Sequence, residues 1–369
     1  MNDKFNIENE DNMEKEKKSK IKKILVNLTI FILLIILTFS LVLKDQDVSQ
    51  IFSVAAKVKK QYILFAVLAM SIYILGEAVN ITRILKELGE KSKLISNIRY
   101  TLIGFFFSAI TPAASGGQPM EIYYMHKDDI SVANSTLALL MQLCSLQIVT
   151  ITVGTISAVI HFEVLKSGLI YLLILGIILN SSALTLLIIA IFSKKLSEGL
   201  IKFAVKLLKF FRIPNVEKKQ EKLEKELESY QTSAKYIKEH KILMLKTVIT
   251  TVIQMIAYYS VPYWIYLAFG LTEYNIFEIL TLQAVLYATV SGIPSPGAVG
   301  VSEGGFLGIF RNVFPETIIS SAMLLTRGAN FYLFIIISAI IVMISTFREK
   351  KIEKKQMQET EVLTEKSEK

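Results

Sequence analysis

Glu121, Glu303 and Arg327 are the residues of this chain best placed to do chemistry inside a bilayer, and two of them sit in loops rich in glycine and proline. The first loop reads Ser108-Ala-Ile-Thr-Pro-Ala-Ala-Ser-Gly-Gly-Gln-Pro-Met-Glu121, the second Ser291-Gly-Ile-Pro-Ser-Pro-Gly-Ala-Val-Gly-Val-Ser-Glu303. Each has Ile two residues after its Ser, Gly nine residues after it (Gly117, Gly300), and Glu near the end. An ionisable group in lipid costs about 2.5–3.5 kcal/mol or more, so it must face a polar cavity or a partner. For the glutamates two readings stand. They line a polar cavity from opposite sides, pairing with cationic headgroups or taking up protons, or each accepts hydrogen bonds from freed N–H groups at its own loop.

Arg327 lies ten residues after Thr317, the start of the last apolar run, too deep to reach a membrane surface, so it needs an anion. Glu303 or a lipid phosphate would serve, because the planar guanidinium can hold two oxygens at once. The candidate binding and translocation residues are therefore Glu121, Glu303 and Arg327, with Gly116, Gly117, Gln118 and Pro119 in the first loop and Pro294, Pro296, Gly297 and Gly300 in the second. Ser108, Ser115, Ser291, Ser295 and Ser302 add hydroxyls, but no His or Lys stands beside them as a base, so no catalytic residue is expected. His126, His161 and His240 are scattered and Cys144 is the one cysteine, which leaves neither a metal site nor a disulfide framework. There is no nucleotide-binding loop, and no cofactor is expected.

The elements that must hold these residues are membrane spans. The chain has 369 residues, 52% of them hydrophobic, with a mean hydropathy of +0.49. Ile24–Leu43, Ile130–Ile160, Ser167–Ser193 and Thr247–Thr272 carry no charge, while Tyr62–Thr82 carries only Glu77 and Thr317–Phe347 only Arg327. About 20 apolar residues cross the hydrocarbon, so all six qualify. The net charge of +9 is gathered in the tails and loops, which is the positive-inside pattern and not a nucleic-acid surface. The first run is too long for a signal-peptide core and ends without a cleavage site, so it is expected to remain as an anchor.

Tyr100–Thr111 has only 12 uncharged residues, about 18 Å of helix against a hydrocarbon core of about 30 Å. We read it as one limb of a re-entrant hairpin, 100–127, with a second at 279–315 broken by its prolines and glycines. The expected fold is all-α and polytopic: six spans plus two re-entrant half-membrane hairpins in an inverted repeat. The halves are 24–160 and 167–347, both termini lie in the cytoplasm, and the tails 1–23 and 348–369 are disordered. Interrupted segments at matching places in two halves mark a transporter's binding site.

The loop 194–242 carries 13 Lys and Arg against seven Glu and is placed in the cytoplasm, where anionic inner-leaflet lipids are its expected partners. Within it, Leu200–Ile213 reads as an interfacial amphipathic helix, and the 4-3-4-3 spacing of Leu223, Leu227, Tyr230, Ala234 and Ile237 as a helical hairpin or docking helix. Tyr258, Tyr259, Tyr263, Trp264 and Tyr266 read as an aromatic belt at the outer end of their span.

Thr111-Pro112 with Ser115-Gly116-Gly117-Gln118-Pro119, the run Pro294 to Gly304, and Arg327 make the chain similar to the flippase-like membrane domain of lysylphosphatidylglycerol synthases, over residues of about 22 to 347. The resemblance implies a multi-pass inner-membrane protein of bacterial or archaeal type that moves a phospholipid between leaflets, aminoacylated phosphatidylglycerol among the candidates. It also carries the label of phosphatidylglycerol lysyltransferase. In the full synthases that activity resides in a large soluble domain after the membrane region, whereas here 22 residues follow Phe347, so the residues in hand do not support it. A third reading is a non-transporting membrane partner that recruits a separate soluble lipid-modifying enzyme.

Overall fold

The computed structural model describes residues 48–111, 114–160, 169–195, 216–293 and 295–346, with isolated positions at 29, 33, 198, 199, 202 and 206. The expected first span Ile24–Leu43, the amphipathic helix Leu200–Ile213 and the two tails lie outside this set apart from those isolated positions, as do Pro112 and Pro294. Every element among the described residues is helical. In chain order they are α1 (Val48–Ala56), α2 (Lys60–Glu87), α3 (Leu94–Ile110), α4 (Gly117–Lys127), α5 (Val132–Ile160) and α6 (Leu169–Phe192). There follow α7 (Val216–Glu239), α8 (Lys241–Ala268), α9 (Ile276–Val290), a 3-10 turn (Pro296–Ala298), α10 (Val301–Ile309) and α11 (Ile319–Thr346). The last helix holds a π-turn over Gly328–Tyr332.

Five helices, α2, α5, α6, α8 and α11, are long and apolar enough to cross a membrane. α2 has 28 residues, about 42 Å, whereas α3 has 17 and α9 only 15, about 26 and 22 Å. Each short helix turns back: α3 packs against α4, and α9 against α10. Both short helices start earlier than the uncharged runs suggested. α3 begins at Leu94, ahead of the uncharged run, because Arg99 finds an anion at the other end of its own hairpin: Arg99 and Tyr100 both donate to the carboxylate of Asp128. α9 starts at Ile276 on a capping box, in which the Asn275 side chain accepts from the N–H of Phe277 and Glu278 and the Glu278 carboxylate accepts from the N–H of Asn275.

The first hairpin turns where a residue before proline is pushed out of the helical region. Thr111 is extended (ψ 146°), and its hydroxyl accepts from Gly116 N–H while donating to Phe107 C=O, so part of the freed backbone is satisfied locally. Gly117 lets the two limbs touch: a Cβ there would lie 2.0 Å from Ser108 Oγ and 2.9 Å from Gly104 C=O.

Around the hairpins the spans are joined by small residues and polar clasps, the usual means of helix association in lipid. Asn80 on α2 is fully buried; its amide donates to Gln142 of α5 (2.8 Å) and Thr251 of α8 (3.0 Å), and Gln142 donates in turn to Gln254 (3.3 Å). Arg83 donates to Asn80, Thr250 and the Lys246 carbonyl. On the other side, Asn180 of α6 donates to the Ala288 carbonyl of α9 (3.2 Å) and accepts from Ser291 (3.2 Å).

Two large apolar clusters result, beside two smaller ones around Met70 and Met255, among the described residues. One gathers α3, α4 and α5 with Ala234 and Ile237 of α7; the other gathers α8, α9, α10 and α11. The docking-helix spacing therefore corresponds to a real face of α7. Tyr230 donates to the Ala190 carbonyl and Ser233 to Asn134 Oδ1, which fixes α7 to the ends of α6 and α5.

The expected aromatic belt is corrected. Tyr259 and Tyr266 are almost wholly buried inside the bundle, and Tyr258 packs tilted against Tyr73 and edge-on against Tyr287 at ring separations of 5.2 and 5.3 Å. A belt needs rings turned outward along one rim. The angular spread of these five positions around α8 turns Tyr258 and Tyr259 toward Tyr287 of α9 and Tyr266 toward Tyr274 and Phe314, and leaves Tyr263 and Trp264 half-buried.

Candidate functional site

A cavity of about 300 Å³ opens where the tips of the two hairpins meet. Phe105, Ser108 and Ala114 of the first hairpin face Ser291, Ser295 and Gly297 of the second across it. Tyr73, Tyr258 and Tyr287 form an aromatic wall, and Arg327 closes one side next to Asn330 and Phe331.

Arg327 is held on several sides. Its Nε donates to Glu303 Oε1 at 2.7 Å and its Nη2 to the Gly297 carbonyl at 3.1 Å, while the guanidinium lies 4.0 Å from the Phe331 ring centre. Glu303 is 0% exposed and fully engaged: Oε1 also accepts from the Tyr332 hydroxyl (3.2 Å), and Oε2 accepts from the N–H of Gly300 (2.7 Å). Glu303 is thus the first-turn acid that closes α10 at its N-terminus and the counter-ion of Arg327. It sits behind the arginine, and of the two only Arg327 reaches the cavity wall. The turn that permits this depends on backbone only glycine adopts readily: Gly297 has φ 58° and Gly300 φ 86°. A Cβ on Gly297 would also lie 2.2 Å from Phe331 Cζ.

Glu121 does not join this group. It is 3% exposed, packed in its own hairpin so closely that a Cβ on Gly104 would come within 2.0 Å of its Oε1. Among the described residues its Oε2 has no hydrogen-bond partner, and the charged neighbour acting on it is Glu77 of α2, another acid. Gly116 and Gly117 make the tip and the close limb contact, while Gln118 and Pro119 lie in the first turn of α4, Pro119 exposed, off the cavity wall. Pro296 opens the 3-10 turn beside Gly297, and Pro294 lies outside the described residues.

The tyrosine wall was missed in the sequence. Tyr73 is a polar aromatic in the middle of α2, and that placement was the available signal, whereas Tyr287 lies in the last turn of α9. Among the described residues the wall offers one guanidinium, serine hydroxyls, tyrosine hydroxyls and no carboxylate. Such a surface accepts a phosphate or hydroxyl-bearing group, and its volume lies at the small end of ligand sites.

Among curated proteins none matches the chain. A family model does, described as the lysylphosphatidylglycerol synthase TM region and matching residues 24–338. With most of its length covered by that match and its long apolar helices arranged around two short hairpins, the chain belongs to the membrane-region family of the lysylphosphatidylglycerol synthases.

Proposed function

We propose that this protein carries a phospholipid between membrane leaflets, and the observation behind the reading is the shared cavity: both hairpin tips and Arg327 open on one largely apolar space edged by serine and tyrosine hydroxyls. In this reading α3–α4 and α9–α10 each dip halfway into the bilayer, from opposite faces, within six spans whose halves are inverted. The headgroup leaves the leaflet and enters the cavity. Its phosphate accepts hydrogen bonds from the edge of Arg327 that Glu303 and Gly297 leave facing the cavity, and from Ser108, Ser291 or Ser295. The acyl chains stay in lipid along outward apolar faces such as Leu172, Leu175 and Leu186 of α6. Relative movement of the hairpins would then open the cavity to either leaflet.

A cavity of about 300 Å³ takes a headgroup and not the chains, which is why transfer with the tails in the bilayer fits better than complete engulfment. Phosphatidylglycerol and its aminoacylated form have suitable headgroups, the free amine of the latter meeting the Tyr73–Tyr258–Tyr287 wall. The proposed location is the inner membrane with both termini in the cytoplasm.

The test is leaflet exchange in vesicles. Protein reconstituted with fluorescent phosphatidylglycerol should speed reductant quenching of inner-leaflet label, and Ser291→Phe, which fills the cavity without touching the ion pair, should remove the acceleration, whereas Ser291→Ala, which gives up only the Asn180 contact, should keep it. Exchange no faster than in empty vesicles, over phosphatidylglycerol, its lysyl form and phosphatidylethanolamine, would defeat the proposal.

A further inference from the structure

We propose that the basic end of α6 carries a second site, separate from the central cavity, that holds the phosphate of an anionic phospholipid. A pocket of about 250 Å³ lies between that helix end and the docked face of α7. Lys194 comes from the α6 side, and Lys235 and Lys238 from α7. Gln231, Lys235 and Lys238 follow one another at four and three residues, so they share one face of that helix.

The rest of the lining among the described residues is Ile191, Phe192, Ser193, Tyr230 and Ala234, with no carboxylate among them. Glu198 stands 3.8 Å from Lys194 and is part-exposed, a surface pair that water screens. Among the described residues the Gln231 side-chain nitrogen is buried without a hydrogen-bond partner, an unsatisfied donor on a residue that lines the pocket. The pocket cannot slide shut easily, because Tyr230 pins α7 to α6 through the Ala190 carbonyl at 2.8 Å.

Three cations and an unsatisfied donor would suit any phosphate. The surroundings select a lipid. α6 is the least buried of the five long helices, and Leu186, Ile189 and Phe192 are 65%, 43% and 47% exposed on its surface. Phe192 belongs both to this ridge and to the pocket, so acyl chains lying along the ridge would bring a headgroup directly to the lysines. Each lysine near an anionic membrane surface contributes about 1 kcal/mol, or about fivefold in affinity. The site does not depend on lipid translocation: it would fix α7 to the membrane whether or not the central cavity transports.

The full chain, purified in mixed micelles holding equal phosphatidylglycerol and phosphatidylcholine, can be tested by native mass spectrometry. Wild type should retain phosphatidylglycerol in preference. Lys235→Gln/Lys238→Gln should weaken that preference about thirtyfold, at about fivefold per lysine, and Gln231→Leu should weaken it to a smaller degree, with phosphatidylcholine adducts unchanged. The pair Lys59→Gln/Lys60→Gln, at the end of α2 opposite the one that Tyr236 of α7 touches, should change nothing. If the double variant fails to fold, as read by gel filtration, Lys238→Gln alone should still give the fivefold effect. Retention equal to wild type in the folded variants would overturn the site. Displacement of the lipid by millimolar inorganic phosphate would assign it to soluble phosphate and overturn the lipid reading.

Discussion

The Glu303–Arg327 pair allows stability and transport to be separated. The two side chains are 0% and 8% exposed and meet at 2.7 Å. Removing either partner strands a buried charge, a loss of about 3–5 kcal/mol. Arg327→Met leaves Glu303 with only Gly300 N–H and the Tyr332 hydroxyl, and Glu303→Leu leaves Arg327 with the Gly297 carbonyl and the Phe331 ring. Replacing both by apolar groups of similar volume removes both charges together, so the double variant should sit well above the sum of the singles. Glu303 also closes the first turn of α10, so about 1 kcal/mol, the usual value of a cap, should remain lost. A double-mutant cycle on thermal or detergent-induced unfolding should therefore show a coupling of at least about 2 kcal/mol, within the range seen for residues in contact. Leaflet exchange should behave differently: the double variant, though folded, should stay inactive, since the guanidinium on the cavity wall is gone. Costs that add to within about 0.5 kcal/mol would show the pair to be uncoupled and refute the stability argument. Full exchange in the folded double variant would refute a role for Arg327 at the headgroup.

Two further outcomes follow from packing. Gly117→Ala places its Cβ against Ser108 Oγ and the Gly104 carbonyl and should destabilise by about 1–3 kcal/mol, whereas Gly304→Ala, with nothing within 4 Å, should be neutral or gain up to about 1 kcal/mol; thermal melting of the two variants compares them directly. Asn80→Leu removes the donor shared by Gln142 and Thr251 and should cost about 1–3 kcal/mol, while Gln142→Leu in that background should cost little more, read by the same melting assay.

Much of the architecture is legible in one dimension, because burial in an apolar medium responds to runs of residue type. A run of 20 or more uncharged residues must be helical and satisfied within itself, and a Thr-Pro or Gly-rich break in such a run must turn. That suffices to locate α2, α5, α6, α8 and α11, both short hairpins, and the need of Arg327 for an anion with Glu303 as a candidate. The 4-3-4-3 apolar spacing likewise marks the face that α7 lays on α5 and α6.

What the chain's order alone leaves open is the rotation of each helix about its axis and the identity of its neighbours. Glu121 and Glu303 stand at matching places in matching loops, yet Glu303 turns to Gly300 N–H and Arg327 while Glu121 is enclosed beside Gly104 with another acid, Glu77, acting on it. Tyr258 passes for a belt residue until Tyr73 and Tyr287, nearly 200 and 30 positions away in the chain, are brought against it. Arg99 seems to forbid a helix start at Leu94 until Asp128 is folded back to neutralise it. Hydrophobicity is a property of a residue and is read directly, whereas the partner of a buried polar group depends on the packed helices, and so the spans were determined by the sequence and the cavity wall by the tertiary structure.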